Sequence, residues 1–462
     1  MRATLRVRLS LILLISTAVI AIAADRPGAR QSGWLDAYRE PAGRLIAESL
    51  STTFAWDRLA LLGDTFGHRL SGSRALEHAI EWAIAEMKKD GLEEIRAEPV
   101  KVPHWVRGHE SVEIVSPYRS ALTMLGLGNS VGTPPDGIEA EVLVVRSFAE
   151  LEAAGRRANG KIVLFNAPFT TYSETVLYRG AGPSRAASLG AVAALVRSVG
   201  PPGLRTAHTG ALRYAEGQPK IPAAAIATED ADRLQRMQNR GTKVILRLKM
   251  EAKFLPDADS ANVVAEIRGR ERPEEIVVVG GHFDSWDVGT GSTDDGAGCV
   301  VTWEALRLMK KLNLRPRRTV RVVLFTNEEN GLAGASAYLE RYRSQLGNHV
   351  MMLESDMGVL RPIGFGFTGS AAGRATIQQI ASLLRGIGTD TIVGSGGGAD
   401  IGPSVEAGNI PAMSLESSGN YFLIHHTEAD TVDKIDPADM ATASAAIAVL
   451  AYVVADMPER LK

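Results

Sequence analysis

The stretch Val277–Gly298, "VVVGGHFDSWDVGTGSTDDGAG", constrains this chain more than any other. An apolar run leads into one histidine, four aspartates and six glycines. Carboxylates held close together repel, and burying one without a partner is costly. The fold must bring a partner from elsewhere in the chain, or hold one that is not protein.

The surroundings set the fold class. From about residue 255 the pattern alternates strand and helix. "EIVVVGGH", "RTVRVVLFTNEE" and "HVMMLESD" read as strands, with "GCVVTWEALRLMKKL" and "GASAYLERYRS" as the helices between them. "TIQQIASLLRGIG" and "ADMATASAAIAVLAYVVADM" read as further helices. Such alternation predicts an α/β fold with a mostly parallel or mixed sheet flanked by helices. Ligands of such sheets bind beyond the carboxyl ends of the strands. Residues 35–100 read as helical, with a stop at Gly91. Residues 115–252 read as an inserted, smaller α/β module in which "GPSRAASLGAVAALVRSV" is an Ala-rich helix. The module holds His208 but no cluster of ligands, so packing, pairing or covering a cleft is its expected work. The expected organisation is a leader over 1–24, a catalytic domain split into 25–114 and 253–462, and the inserted module between them.

Three strand ends carry chemistry. The first delivers His282 and, after a Gly-rich loop, Asp294 and Asp295; the second delivers Glu328 and Glu329; the third delivers Asp356. "YFLIHHTEADT" adds His425 and His426. Parallel strands gather these groups at one edge. Two divalent cations resolve the repulsion. Imidazole and carboxylate without thiolate suit Zn²⁺, with Mn²⁺ or Co²⁺ as substitutes, and calcium fits poorly. Asp294, on a tight loop, is placed to bridge a metal pair. One of the two adjacent glutamates is expected to bind metal while the other takes a proton from the attacking water. Glu328 is assigned as base and Glu329 as ligand, although spacing alone leaves their order open. Taken singly, each of these residues is as well read as a loop cap or a solvated pair.

Bulk properties narrow the class. The chain has 462 residues, 45% hydrophobic and 23% charged, as in a soluble globular protein of two domains or one domain with an insertion. Net charge is −2, which gives no basis for nucleic acid or an acidic membrane as partner. Arg2, Arg6 and Arg8 precede an apolar run from Leu9 to Ile22, and Ala21–Ala23 offers small residues for cleavage. This predicts a signal peptide, hence a secreted or periplasmic protein without stable membrane association after cleavage. An uncleaved anchor is the alternative. No later segment is expected to reach membrane-spanning length free of charge. The single cysteine, Cys299, excludes an internal disulfide and reads as a small buried residue. His68 reads as a turn residue, and Tyr421 as a core tyrosine that can add a hydrogen-bond donor.

"GGHFDSWDVGTGSTDDGAG", "LFTNEENGLAGA", "LESDMG" and "HHTEADTVDKIDP" resemble, in order, the metal motifs of the co-catalytic zinc exopeptidases, a group that includes leucyl aminopeptidases and glutamate carboxypeptidases. "FGHRLSGS", "EPVKVPHW", "LGLGNSVGTPP" and "KIPAAAIATEDADR" extend the likeness over nearly the whole chain. The resemblance implies that His282 and Asp356 hold one zinc and that Glu329 and His426 hold the other. It implies that Asp294 bridges them, joined to Asp295 by a cis peptide, and that Glu328 is the base. It also implies that Asp284 hydrogen-bonds the His282 imidazole. The inserted module resembles a protease-associated domain, which implies a place over the cleft and in a homodimer. "GSGGGADIGPS" and "LESSGNYFLIHH" depart from the usual pattern and are expected to line the substrate pocket. The expected activity is hydrolysis of a dipeptide or short peptide. The rivals are an amidohydrolase on acylated amino acids, an aminopeptidase, and an inactive receptor-like relative.

Overall fold

A computed structural model describes residues 33–461, so the expected signal peptide lies outside the described residues. Two eight-stranded sheets organise the chain. The first contains the strands Glu93–Val106, Lys253–Ile267, Arg318–Phe325, Arg272–His282, His349–Glu354, Ala412–Ser417, Pro362–Thr368 and Thr391–Val393, in that spatial order. Its four central strands, Arg318–Phe325 through Ala412–Ser417, run parallel, and antiparallel pairs flank them. The expected mixed α/β sheet is therefore present. Arg318–Phe325 and His349–Glu354 are buried throughout, and Arg272–His282 from Ile276 on, as a sheet covered on both faces requires. Register sets the site's geometry: His282 pairs with Phe325, and Gly280 with Glu354. The strands carrying His282, Glu328, Glu329 and Asp356 thus end side by side at one edge.

The second sheet is built from strands between Glu110 and Met250. Its core includes Val112, Ile114, Leu125, Leu164, Leu195 and Leu246. Two further members of that core, Trp286 and Val288, come from the loop that follows His282. The two sheets therefore meet through this loop.

Several expectations fail locally. Residues 93–100 are strand, not helix. The alternation Val100, Val102 carries that signal, and Pro99 and Pro103 are tolerated because the strand lies at the sheet's edge. The expected Ala-rich helix ends at Ser188, and Ala193–Arg197 is a buried parallel strand. Gly190, at φ +84, takes the left-handed turn that separates the two. The C-terminal helix Pro437–Asp456 is long and apolar enough to cross a membrane, but Asp439 and Asp456 bound its charge-free run, so the sequence reading of no charge-free span stands. It is instead a core helix, packed against Ala297–Lys311 and Arg39–Leu50, with its residues from Met440 on almost all buried.

His349 opens its strand fully buried, with Nε2 2.9 Å from the Tyr338 hydroxyl and Nδ1 3.1 Å from the Gln345 carbonyl. Burial lowers its pKa from 6.5 to about 4. The folded protein holds His349 neutral where the unfolded chain binds a proton, so its contribution is lost as pH falls through that window. The expected loss between pH 7 and 4 is about 3 kcal/mol of unfolding free energy. Denaturant titrations of the wild type and His349→Gln at matched pH values measure it, since the variant lacks this share of the pH dependence.

Candidate metal centre

The strand Arg272–His282 ends where its last residue turns out of the sheet. His282 Nδ1 is 2.9 Å from the backbone carbonyl of Asp284. A carbonyl only accepts, so Nδ1 carries the proton and Nε2 faces the cluster. Nε2 lies 3.3 Å from Asp294 Oδ1 and 3.2 Å from Asp356 Oδ1. On the other side, His426 Nε2 lies 3.1 Å from Asp294 Oδ2 and 3.1 Å from Glu329 Oε2. The two oxygens of Asp294 thus face two different imidazoles. His282, Asp294 and Glu329 converge within 4.8 Å, as do Asp294, His425 and His426, and His282, Asp295 and Asp356. His282, Asp294, Asp295, Glu329, Asp356, His425 and His426 thus meet in one place. The donor set is imidazole and carboxylate with no thiolate, which fits zinc.

His425 stacks on His426 with ring centroids 3.5 Å apart, and its Nε2 is 3.6 Å from Asp294 Oδ2. Its Nδ1 has no hydrogen-bond partner, and burial drives its pKa well down. Tyr421 is buried against it, with ring centroids 5.0 Å apart. Glu328 is half-buried and opens, with Glu329, onto a cavity of about 840 Å³. Desolvation, then the neighbouring Asp356 and Glu329, raises the Glu328 pKa well above the ordinary range. Desolvation and Asp294 raise that of Glu329 to about 7.

Backbone N–H groups fix the supporting carboxylates. The peptide joining Asp294 to Asp295 is cis. Asp295 accepts from the N–H of His282 at 3.1 Å and of Gly298 at 3.0 Å. Asp284 accepts from the N–H of Glu328 at 3.0 Å and of Glu329 at 3.4 Å, and from the Ser71 hydroxyl at 3.2 Å. The expected bond from the Asp284 carboxylate to His282 is not made, since Oδ1 is 3.9 Å from Nδ1. The backbone of Asp284 orients the imidazole, and its side chain holds the two glutamates. Cys299 is buried as expected, its thiol donating to the His282 carbonyl at 3.0 Å.

Other supporting groups escaped the sequence reading. Asp430 accepts from the N–H of Thr293 at 2.6 Å and of Asp294 at 3.1 Å, and burial raises its pKa to about 6. Arg69, fully buried, donates to the carbonyls of Phe283, Thr290 and Gly291 at 2.8–2.9 Å, clamping the ligand loop. Glu354 accepts from the N–H of Asp400 at 3.0 Å and of Ile401 at 2.9 Å. The glycine-rich loop before Asp400 thus braces the sheet edge, and only its Ala399 lines the cavity. No periodicity marks these residues. Arg69 stands in a Gly/Ser turn and Asp430 in a loop, and only three-dimensional proximity gives them a role.

Comparison with known proteins places this arrangement. Residues 262–451 match the model of Peptidase family M28. The chain is 48% identical over 407 residues to carboxypeptidase Q of Bos taurus, covering 88% of this chain and 86% of that protein. The chain belongs to peptidase family M28. Among solved structures, the M28 peptidase precursor from Shewanella amazonensis SB2B superposes with a TM-score of 0.88 at 34% identity, over 92% of this chain and 98% of that one. A zinc aminopeptidase from Bacillus subtilis shares the fold, with a TM-score of 0.65 at 19% identity over 88% of this chain and 98% of its own.

In this M28 peptidase the glycines that flank the ligand loop, Gly281 and Gly298, are steric requirements. A Cβ on Gly298 would stand 1.8 Å from the Ser355 carbonyl and 2.2 Å from Asp295 Oδ1. One on Gly281 would stand 2.1 Å from Asp295 Oδ2. Backbone lies against Gly298 and cannot swing aside. Gly298→Ala is therefore expected to lower unfolding free energy by about 3 kcal/mol in denaturant titration. An unchanged value would show that Asp295 is held more loosely than these contacts require.

Proposed function

We propose that this M28 peptidase is a di-zinc exopeptidase that hydrolyses dipeptides or other short peptides. In this reading His282 and Asp356 hold one zinc, Glu329 and His426 hold the other, and Asp294 is shared. The observation that carries it is the placing of the two Asp294 oxygens, one toward each imidazole. The bound ions, zinc or substituting Mn²⁺ or Co²⁺, supply Lewis acidity to the scissile carbonyl and the attacking water.

The chain's own residues do the rest. Glu328 opens onto the cavity and stands apart from the histidine contacts that engage Glu329 and Asp294. It accepts the proton of the attacking water and passes it to the leaving amine. Asp284 keeps Glu328 and Glu329 in register by gripping both of their N–H groups. Asp295 fixes His282, and Asp430 fixes the turn that presents Asp294. The name of the relatives, carboxypeptidase Q, directs the reading toward release of a carboxy-terminal residue. The module spanning 115–252 acts as a protease-associated domain beside the cleft and takes part in a homodimer. The leader over 1–24 directs the protein to the periplasm or the extracellular space.

Glu328→Gln is expected to keep two zinc ions per chain by elemental analysis while kcat falls by about 10²- to 10⁴-fold. Near-normal turnover would remove Glu328 from the role of base. A panel of dipeptides, aminoacyl amides and acyl-amino acids, run with chelator controls, is expected to give highest kcat/KM on dipeptides. Preference for acyl-amino acids would instead identify an amidohydrolase.

A further inference from the structure

We infer that the module carrying the second sheet is the outer support for one metal of the pair, the one assigned to Glu329 and His426, and not for the other. The inference rests on the two-zinc reading above and deepens it.

Two independent contacts point the same way. The first reaches His426. Its backbone lies at φ +61, a conformation that side-chain-bearing residues seldom adopt without support. Thr209 of the second module supplies that support. Its N–H donates to the His426 carbonyl at 3.0 Å, and its own carbonyl lies 3.3 Å from His426 Nδ1. That carbonyl accepts from Nδ1, which turns Nε2 toward Glu329 and Asp294. Arg179 of the same module donates to the same carbonyl at 3.3 Å, with its Nη1 3.4 Å from Nδ1. The guanidinium rests on the bare Cα of Gly210, where a Cβ would stand 2.3 Å from it. Tyr172 accepts from its other end at 2.8 Å. Arg179 is thus a positioning residue for the Thr209 carbonyl.

The second contact reaches Glu329. The N–H of Trp286 donates to Glu329 Oε1 at 3.2 Å. The Trp286 indole is buried in the second module's core, with its ring centroid 6.4 Å from that of Trp105. It fills the space over Gly128, where a Cβ would stand 1.9 Å from the ring. Displacing the indole moves the N–H that holds Glu329.

The other half of the centre is supported differently. His282 is held by Asp284 and Asp295, and Asp356 follows the strand His349–Glu354 and meets His282. Among the described residues, no hydrogen bond joins the second module to either. The module therefore sets the affinity of one metal and leaves its neighbour's unchanged. Groups that orient a ligand in this way change metal affinity by about 10–100-fold.

Zinc titration of the full chain against a competing chelator tests this, with Arg179→Ala and Gly128→Ala beside the wild type. Arg179 and Gly128 act on different ligands, so failure of one variant to fold leaves the other informative, and thermal unfolding of the metal-free proteins checks both. The wild type is expected to show two sites. Each variant is expected to weaken one site by about 10–100-fold while the other stays within about twofold. Arg179→Lys is expected to recover part of the loss. In a His426→Ala background, adding Arg179→Ala is expected to leave the remaining site unchanged. Equal weakening of both sites, or of neither, with two sites in the wild type, overturns the inference alone. A wild type with one site overturns the two-zinc reading itself.

Discussion

The mutual repulsion of carboxylates around Asp294 is the constraint on which the rest of the structure depends. Asp294, Asp295, Glu329 and Glu354 are buried at one sheet edge, and Glu328 and Asp356 are close beside them. Enclosure pushes most of them toward holding protons. Arg69 lies close by but spends its hydrogen bonds on carbonyls, so it fixes the loop more than it neutralises the acids. In the proposed reading a pair of divalent cations would supply the missing positive charge, one toward each oxygen of Asp294.

The acids divide by what their oxygens meet. Asp284, Asp295, Asp430 and Glu354 each accept from two backbone N–H groups. They form an outer ring that shapes the turns carrying the ligands. Asp294, Glu329 and Asp356 each turn at least one oxygen toward an imidazole nitrogen. A chain that needs buried carboxylates as ligands needs further buried carboxylates to hold those ligands still. Preorganisation of this kind is what a di-metal hydrolase requires. Glycine makes the ring compact enough, as Gly281 and Gly298 show by leaving no room for a Cβ beside Asp295.

Much of the centre was legible before any coordinates. Strand ends follow from apolar runs, and in a parallel sheet strand ends share an edge. His282, Asp294, Glu328, Glu329 and Asp356 could therefore be gathered from periodicity alone. The order of the two glutamates, and His426 in place of His425, came from family likeness. Arg69, Thr209, Arg179 and Trp286 were hidden because their roles depend on which loops touch. Backbone carbonyls and N–H groups, which orient most of the ligands, carry no residue-type signal at all. The error over Ala193–Arg197 has a related cause: alanine favours helix in isolation, but close packing between two sheet neighbours overrode propensity. The inserted module was assigned no chemistry because it lacks ligands of its own. It touches the centre through a peptide carbonyl and a borrowed tryptophan.

The central claim is that two zinc ions flank one carboxylate. Anomalous diffraction above and below the zinc edge, from crystals of the protein purified without chelator or added metal, tests it most directly. The account requires two peaks on opposite sides of Asp294, one beside His282 and one beside His426. A single peak, or two peaks with Asp294 touching neither, would contradict it.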